Sequence, residues 1–358
     1  MKKDILFTLL ILLIACFIVF SLQNNKMNDT QNPAFLGTTF DYYAKNVKRI
    51  PIHAIKLNES IFDSIKMSID NNKPIILILG NSQSQSINQL KVGDRNLIEY
   101  ISNGSNNYNI ISHTMPNANF TEMYLLLRFW SSKFKISQVV VPAFLDDTRM
   151  AGIRKDFIEK IINDHFLVDN FQDNDRLIND YLLGLQPKED TNPYNLQRYT
   201  EYVFDNYLNT HFVLWRDRSK VESFIAVSLY NMRNTIFNIK ASDKRKILPA
   251  VYKDNLSSLL SLVNYCSQNK IVAKVYIPPI RNDVEIPYEV DEYEKFKFDC
   301  MDLVTKDNYK NFENIVPPRF WGQKMSTNLS GEPELDYMHF QNEGHKILSD
   351  SLLNFIKK

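Results

Sequence analysis

The hydrophobic pattern of the chain changes character along its length. From Ile5 to Leu22 it is unbroken, reading ILFTLLILLIACFIVFSL without a charge. A helix rises about 1.5 Å per residue, so this run reaches roughly 27 Å, the span of a bilayer's hydrocarbon core. Lys2 and Lys3 precede it and QNNKMNDTQNP follows it. The positive-inside rule then sets the N-terminus in the cytoplasm and the rest of the chain outside. The run exceeds the roughly 7–15 residues of a cleaved signal's apolar stretch, and no small-x-small cleavage site follows. Leu13-Ile14-Ala15-Cys16 offers a lipobox, but Phe17-Ile18-Val19-Phe20 stays apolar where a processed lipoprotein turns polar. The expectation is an uncleaved single-pass anchor over residues 1–25, followed by a polar, Asn-rich tether over 26–55.

From residue 56 to 358 the pattern is that of a folded α/β domain. Ile61, Phe62, Ile65 and Ile69 fall at helical spacing. Pro74 to Leu79 is a short continuous apolar run, which suits a strand buried on both faces of a parallel sheet. Asn109–Ser112, Ser137–Pro142 and Ile271–Ile277 read the same way. Between them lie helical patterns: Ile87, Leu90, Leu97 and Ile98; then Val251 to Tyr265; and finally Ile347, Leu348, Leu352, Phe355 and Ile356. Strand–helix alternation of this kind predicts three layers around a mostly parallel sheet. Between about 150 and 245, aromatics recur at helical spacing (Tyr199, Tyr202, Tyr207, Trp215, Phe224, Tyr230). That stretch reads as a helical insertion, serving either as packing or as a lid or docking face for a glycan or acyl donor.

Composition narrows the function. Lys+Arg 42 against Asp+Glu 41 leaves a formal +1, so no global basic field points to nucleic acid. Nine glycines and no GxGxxG or GxxxxGK[ST] argue against a phosphate-cradling loop. Three cysteines exclude a disulfide-built scaffold and a Cys-rich zinc site. His53, His113, His165, His211 and His345 have no partner at metal-ligand spacing, so neither metal nor cofactor is expected. His345 reads as a cap or packing residue. Cys266 and Cys300 fall in helix-like segments and read as buried thiols in preference to a pair.

Two blocks carry chemistry. The strand ending at Leu79 runs into Gly80-Asn81-Ser82-Gln83-Ser84-Gln85-Ser86. A serine there stands at the carboxyl edge of the sheet, where open α/β folds bind ligands. It is either a nucleophile or merely a helix N-cap. The other block is Asp336-Tyr337-Met338-His339, read as a loop before the last helix. An Asp three residues before a His can orient the imidazole so that its far nitrogen takes a serine proton. Arg281, beyond Pro278-Pro279, is either a substrate-anion contact or a surface arginine.

Gly80-Asn81-Ser82 after a buried strand, with Asp336-x-x-His339 before a C-terminal helix, resembles the first and last blocks of the SGNH (GDSL-like) hydrolase superfamily. The apolar N-terminal run and Tyr276-Ile277-Pro278-Pro279 resemble its membrane-anchored branch, which includes acyl-transfer proteins of the DltD and alginate-acetylation type. The resemblance implies Ser82 as nucleophile, His339 as general base and Asp336 as its orienting carboxylate. It implies work on an acyl ester of a cell-envelope polysaccharide or teichoic-acid-like polymer, beside a membrane-bound O-acyltransferase partner. The family's second block has a glycine whose N–H helps form the oxyanion hole. Here Asn117 takes that position, and Asn tolerates a left-handed backbone. At the third block an oxyanion Asn gives way to Phe144-Leu145-Asp146-Asp147, and an ionised Asp146 would repel a developing oxyanion. That favours a partner-assisted acyltransferase. The alternatives are a stand-alone carbohydrate O-acetylesterase and a non-catalytic assembly subunit.

Overall fold

The computed structural model describes residues 39–41, 51–53, 59–154, 207–208, 228–240, 242–324 and 333–357. The expected anchor and most of the insertion lie outside these residues, and among them no helix is long and apolar enough to cross a membrane. The chain divides into two compact units. One comprises Met1–Leu36, Pro187–Ile239 and Thr327–Gly331. Within it residues 228–236 are helical, and the Arg233 guanidinium lies 4.6 Å from the centre of the Tyr230 ring. The other comprises Gly37–Gln186, Lys240–Ser326 and Glu332–Lys358 and holds the sheet.

The strands of this second unit are β1 (Thr39–Asp41), β2 (Pro51–His53), β3 (Ile75–Gly80), β4 (Ser86–Asn88), β5 (Asn109–Thr114), β6 (Ile136–Pro142), β7 (Val272–Ile277), β8 (Tyr309–Asn311), β9 (Trp321–Lys324) and β10 (Glu334–Phe340). Its helices are α1 (Glu59–Ser68), α2 (Ser82–Gln85), α3 (Leu97–Gly104), α4 (Phe120–Lys133), α5 (Pro249–Gln268), α6 (Val290–Asp302) and α7 (Asn342–Ile356). Six strands form one sheet in the order β2-β5-β3-β6-β7-β8, and every pairing in it is parallel. The α/β class and the parallel sheet expected from the alternation are therefore present.

The unbroken apolar runs follow from burial on both faces. All six residues of β3 are buried. Ile75, Leu77 and Leu79 enter one core with Leu125 of α4, Leu259 of α5 and Phe296 of α6. Ile76 and Ile78 enter a second core with Ile98 and Ile101 of α3 and Leu348 and Leu352 of α7. Helices thus cover both faces, and a polar residue in the middle of β3 would meet a core whichever way it pointed.

The winding places the chemistry. The chain leaves β3 for β5 on one side, then crosses back over β3 to β6, so the strand order reverses between β3 and β6. In open α/β sheets the crevice beyond the carboxyl ends at such a reversal is where ligands bind. Ser82 follows β3 and Asp146-Asp147 follow β6, so both stand at that crevice.

Three local expectations differ from what is observed. The helix expected after Ser82 stops at Gln85; Ser86–Asn88 extends as β4 and pairs antiparallel with β1. Gln89 (φ 55°) and Gly93 (φ 93°) then turn the chain before α3. The Asp336–His339 block is a strand, not a loop: β10 pairs antiparallel with β9, with an irregularity between Leu335 and Phe340. Within the stretch read as a tether, Thr39–Asp41 and Pro51–His53 are strands.

Candidate active site

Gly80 ends β3 where a side chain has no room: a Cβ there would stand 2.6 Å from Ser84 Oγ and 2.9 Å from Thr114 Cγ2. Asn81, not Ser82, caps the following turn. Its backbone is extended, and its side-chain oxygen accepts the Gln83 N–H at 3.1 Å. Ser82 is thereby released from capping, and its side chain points to His339. Ser82 Oγ lies 3.0 Å from His339 Nε2, and His339 Nδ1 lies 3.1 Å from Asp336 Oδ2. The three residues singled out from two distant blocks form one relay. Ser82 and His339 are partly exposed, so a substrate has access; Asp336 is buried.

Among the described residues, four hydrogen bonds hold Asp336. Its Oδ1 accepts the N–H groups of Met338 (2.9 Å) and His339 (3.0 Å), and its Oδ2 accepts from Asn88 Nδ2 (3.1 Å) and the His339 ring. Burial alone would raise its pKa. The His339 charge and these hydrogen bonds outweigh burial and hold the carboxyl well below the ordinary carboxylate range. An ionised Asp336 accepts, so the proton of neutral His339 sits on Nδ1 and Nε2 is free to receive the serine proton.

Residues that no local pattern marked position these groups. Gln83 is buried and donates from Nε2 to Met338 O (2.7 Å) and Pro279 O (2.9 Å), tying the serine turn to the strand of His339. Asn88 of β4 reaches both Asp336 and Gln323 O (3.1 Å). Gly322 packs against Asn88 so closely that any Cβ would collide with its carboxamide. Gly322→Ala is therefore expected to displace Asn88 from Asp336. The expected cost is about 1–3 kcal/mol of stability, the usual cost of an unpaired buried polar group, and a drop in Ser82 reactivity, read by urea unfolding and by labelling rate.

Asp146 does not face the site as a free charge. It is ion-paired with Arg245 and with Arg149 (3.4 Å). Its neighbour Asp147 is buried and accepts from Asn81 Nδ2 at 3.1 Å, across the crevice between β3 and β6. Burial pushes the Asp147 carboxyl well above the ordinary range. Asn117 has φ 53°, the left-handed backbone expected of a residue in a glycine position. Its turn is braced by the Asn119–Glu122 capping box of α4 and by Arg154, which bonds Glu122 and Pro116 O. Among the described residues no hydrogen bond joins Asn117 to the relay.

Arg281 is committed to the fold. It is buried, grips Asp283 with Nε (2.7 Å) and Nη2 (3.0 Å), and donates from Nη1 to Gly322 O (2.9 Å). Cys266 and Cys300 are free and buried, on α5 and α6. Burial pushes the Cys266 thiol up to about 12 and Cys300 higher still, so neither is a nucleophile at neutral pH.

His345 is a buried bridge: Nδ1 accepts the Leu97 N–H at the start of α3 (3.1 Å), and Nε2 donates to Ser86 O (3.0 Å). Burial pushes its pKa down to about 3. The unfolded histidine, near 6.5, takes a proton that the folded one refuses, so His345 removes stability as pH falls from about 6.5 toward 3. At pH 5 that loss is on the order of 2 kcal/mol. His345→Gln is expected to flatten the fall in unfolding free energy between pH 7 and pH 5 by about that amount. Asp336 and Asp147 contribute equally to both proteins, so the difference isolates His345.

No protein-family model matches this chain, and a search of curated proteins returns no match.

Proposed function

We propose that the chain is a serine-dependent acyltransferase with a three-layer SGNH-like domain, anchored at the outer face of the cytoplasmic membrane by residues 1–25. Its substrate is an acyl ester, O-acetyl or similar, bound for a cell-envelope polysaccharide or teichoic-acid-like polymer. A membrane-bound O-acyltransferase is the proposed donor-side partner. The single observation that carries the reading is the relay Ser82 Oγ–His339 Nε2 (3.0 Å) and His339 Nδ1–Asp336 (3.1 Å).

The chemistry runs in two halves. Ser82 Oγ attacks the acyl carbonyl while its proton passes to His339 Nε2, and Asp336 stabilises the imidazolium. The negative charge on the carbonyl oxygen needs donors. The first-turn N–H of Gln83 goes to Asn81 Oδ1 and that of Ser84 to Asn81 O, so the Ser82 N–H is left to serve, with Asn117 contributing from the opposite turn. The leaving alcohol takes the proton from His339 as the tetrahedral adduct collapses to acyl-Ser82. An acceptor hydroxyl then attacks the ester, losing its proton to His339, and Ser82 is released with its proton restored.

The pairing of Asp146 with Arg245 favours a second reading. With that charge neutralised the oxyanion site is not repulsive, and a stand-alone carbohydrate O-acetylesterase uses the same steps with water as acceptor. The test incubates the full chain in detergent with an acetyl ester donor and a glycan or polyol-phosphate acceptor. O-acetylated acceptor that depends on Ser82 supports transfer. Acetate alone at every acceptor concentration supports the esterase. Product levels unchanged by Ser82→Ala support a non-catalytic assembly subunit.

A further inference from the structure

At the opposite end of β3 from Ser82 lies a recess of ≈ 690 Å³, open to solvent, where the C-terminal ends of α1, α4 and α5 meet the first residues of β3 and β6. Five lysines line it: Lys66, Lys73, Lys133, Lys135 and Lys270. No carboxylate is part of the lining. Asp70 neutralises Lys73 at 3.3 Å, and among the described residues the other four have no ion-pair partner. In a chain whose formal charge is only +1, this is a local concentration of positive charge.

Helix electrostatics account for part of it. Lys66 and Lys133 stand in the last turns of α1 and α4, where a cation offsets the partial negative charge of the carbonyl end. Lys73 and Lys135 lie outside helices, on the approaches to β3 and β6, and Lys270 lies beyond the end of α5 with φ 58°. Like charges gathered in a concave site repel one another and focus a positive potential, which an anionic ligand relieves. The type of cation matters as well. Arginine would supply the planar fork that grips a single carboxylate or phosphate, and no arginine lines the recess. Lysines are rotatable point charges, suited to repeated phosphates held without fixed geometry.

We propose that this recess binds a polyanionic chain bearing repeated phosphate groups, at a site separate from the serine relay. The six residues of β3 put the two sites roughly 20 Å apart at about 3.3 Å per residue. A polymer held here is tethered beside the domain and not presented to Ser82 by the same segment. The concavity favours a chain that can enter it over a flat bilayer surface. The inference does not depend on Ser82 being a nucleophile.

The test measures binding of long-chain linear polyphosphate to the full-length protein in neutral detergent, by fluorescence anisotropy across a salt series. Vesicles containing phosphatidylglycerol are measured in parallel. The expected result is binding at low salt whose log–log slope against salt is about −3, from the four lysines that Asp70 does not neutralise, at roughly 0.7 ions each. K66E/K133E/K270E is expected to weaken it at least tenfold, with an unfolding midpoint lowered slightly because two of the reversed charges sit at helix carbonyl ends; the single variant K135E, outside any helix, is expected to weaken it less with an unchanged midpoint and guards against a folding defect. Absence of polyphosphate binding overturns the proposal, as does binding that the triple variant retains. Vesicle binding without polyphosphate binding also overturns it, in favour of a membrane contact.

Discussion

His339→Ala is expected to slow acyl-Ser82 formation by about 10⁴–10⁶-fold, the range seen when a general base is removed from a serine relay. The reason is the proton. A serine hydroxyl is essentially un-ionised at neutral pH, and the only ring nitrogen within hydrogen-bond distance of Ser82 Oγ among the described residues is His339 Nε2. His345 cannot substitute: both its nitrogens are engaged, with Leu97 N and Ser86 O, and burial keeps it neutral. The ring of His339 is partly exposed, so its removal leaves a surface notch and the fold intact. Stopped-flow acylation with an activated acetyl ester measures the loss, and added imidazole is expected to restore part of the rate.

Asp336→Asn is expected to lower turnover by about 10⁴-fold while leaving Ser82 and His339 in place. Among the described residues the carboxylate accepts from four donors, the His339 ring among them. An amide offers one oxygen and one NH₂. With its nitrogen toward His339 Nδ1, the neutral ring carries its proton on Nε2 and can no longer accept from Ser82. The same substitution changes stability against pH with a definite sign. Asp336 has a depressed pKa in the fold, so its stabilisation is present above the unfolded carboxylate's value near 3.9 and is lost as pH falls below it. The asparagine variant lacks that acid-sensitive contribution, so its unfolding free energy is expected to fall less steeply than that of the wild type below pH 4.

Both ends of the relay were legible in the chain, for local reasons. β3 is continuously apolar because two cores flank it, and a polar GNS immediately after such a strand marks the carboxyl edge. Asp336 and His339 sit three residues apart, so one segment carries the base and its orienter. The left-handed backbone of Asn117 was expected from the glycine position that the resemblance gave it, which asparagine tolerates. The supporting residues were not legible, because their partners are far away in sequence. Asn81 meets Asp147 across 66 positions, Asn88 meets Asp336 across 248, and Gln83 meets Met338 across 255. No periodicity records such pairs. β4 escaped detection for a similar reason: three residues, Ser-Ile-Asn, take an extended form by pairing with β1, more than forty positions upstream. Asp146, expected from its position in the chain as a free charge, is ion-paired with Arg245, 99 positions on, which the charge pattern alone did not connect.

The most direct test of the central claim is covalent labelling of the full chain by a serine-directed fluorophosphonate, with the modified residue located by peptide mass. The account predicts one labelled serine, Ser82, with labelling abolished in Ser82→Ala and reduced at least a thousandfold in His339→Ala. Ser84 and Ser86, buried in the same turn and the strand after it, should remain unmodified. An unlabelled wild type, or label that persists on another serine in Ser82→Ala, would contradict it.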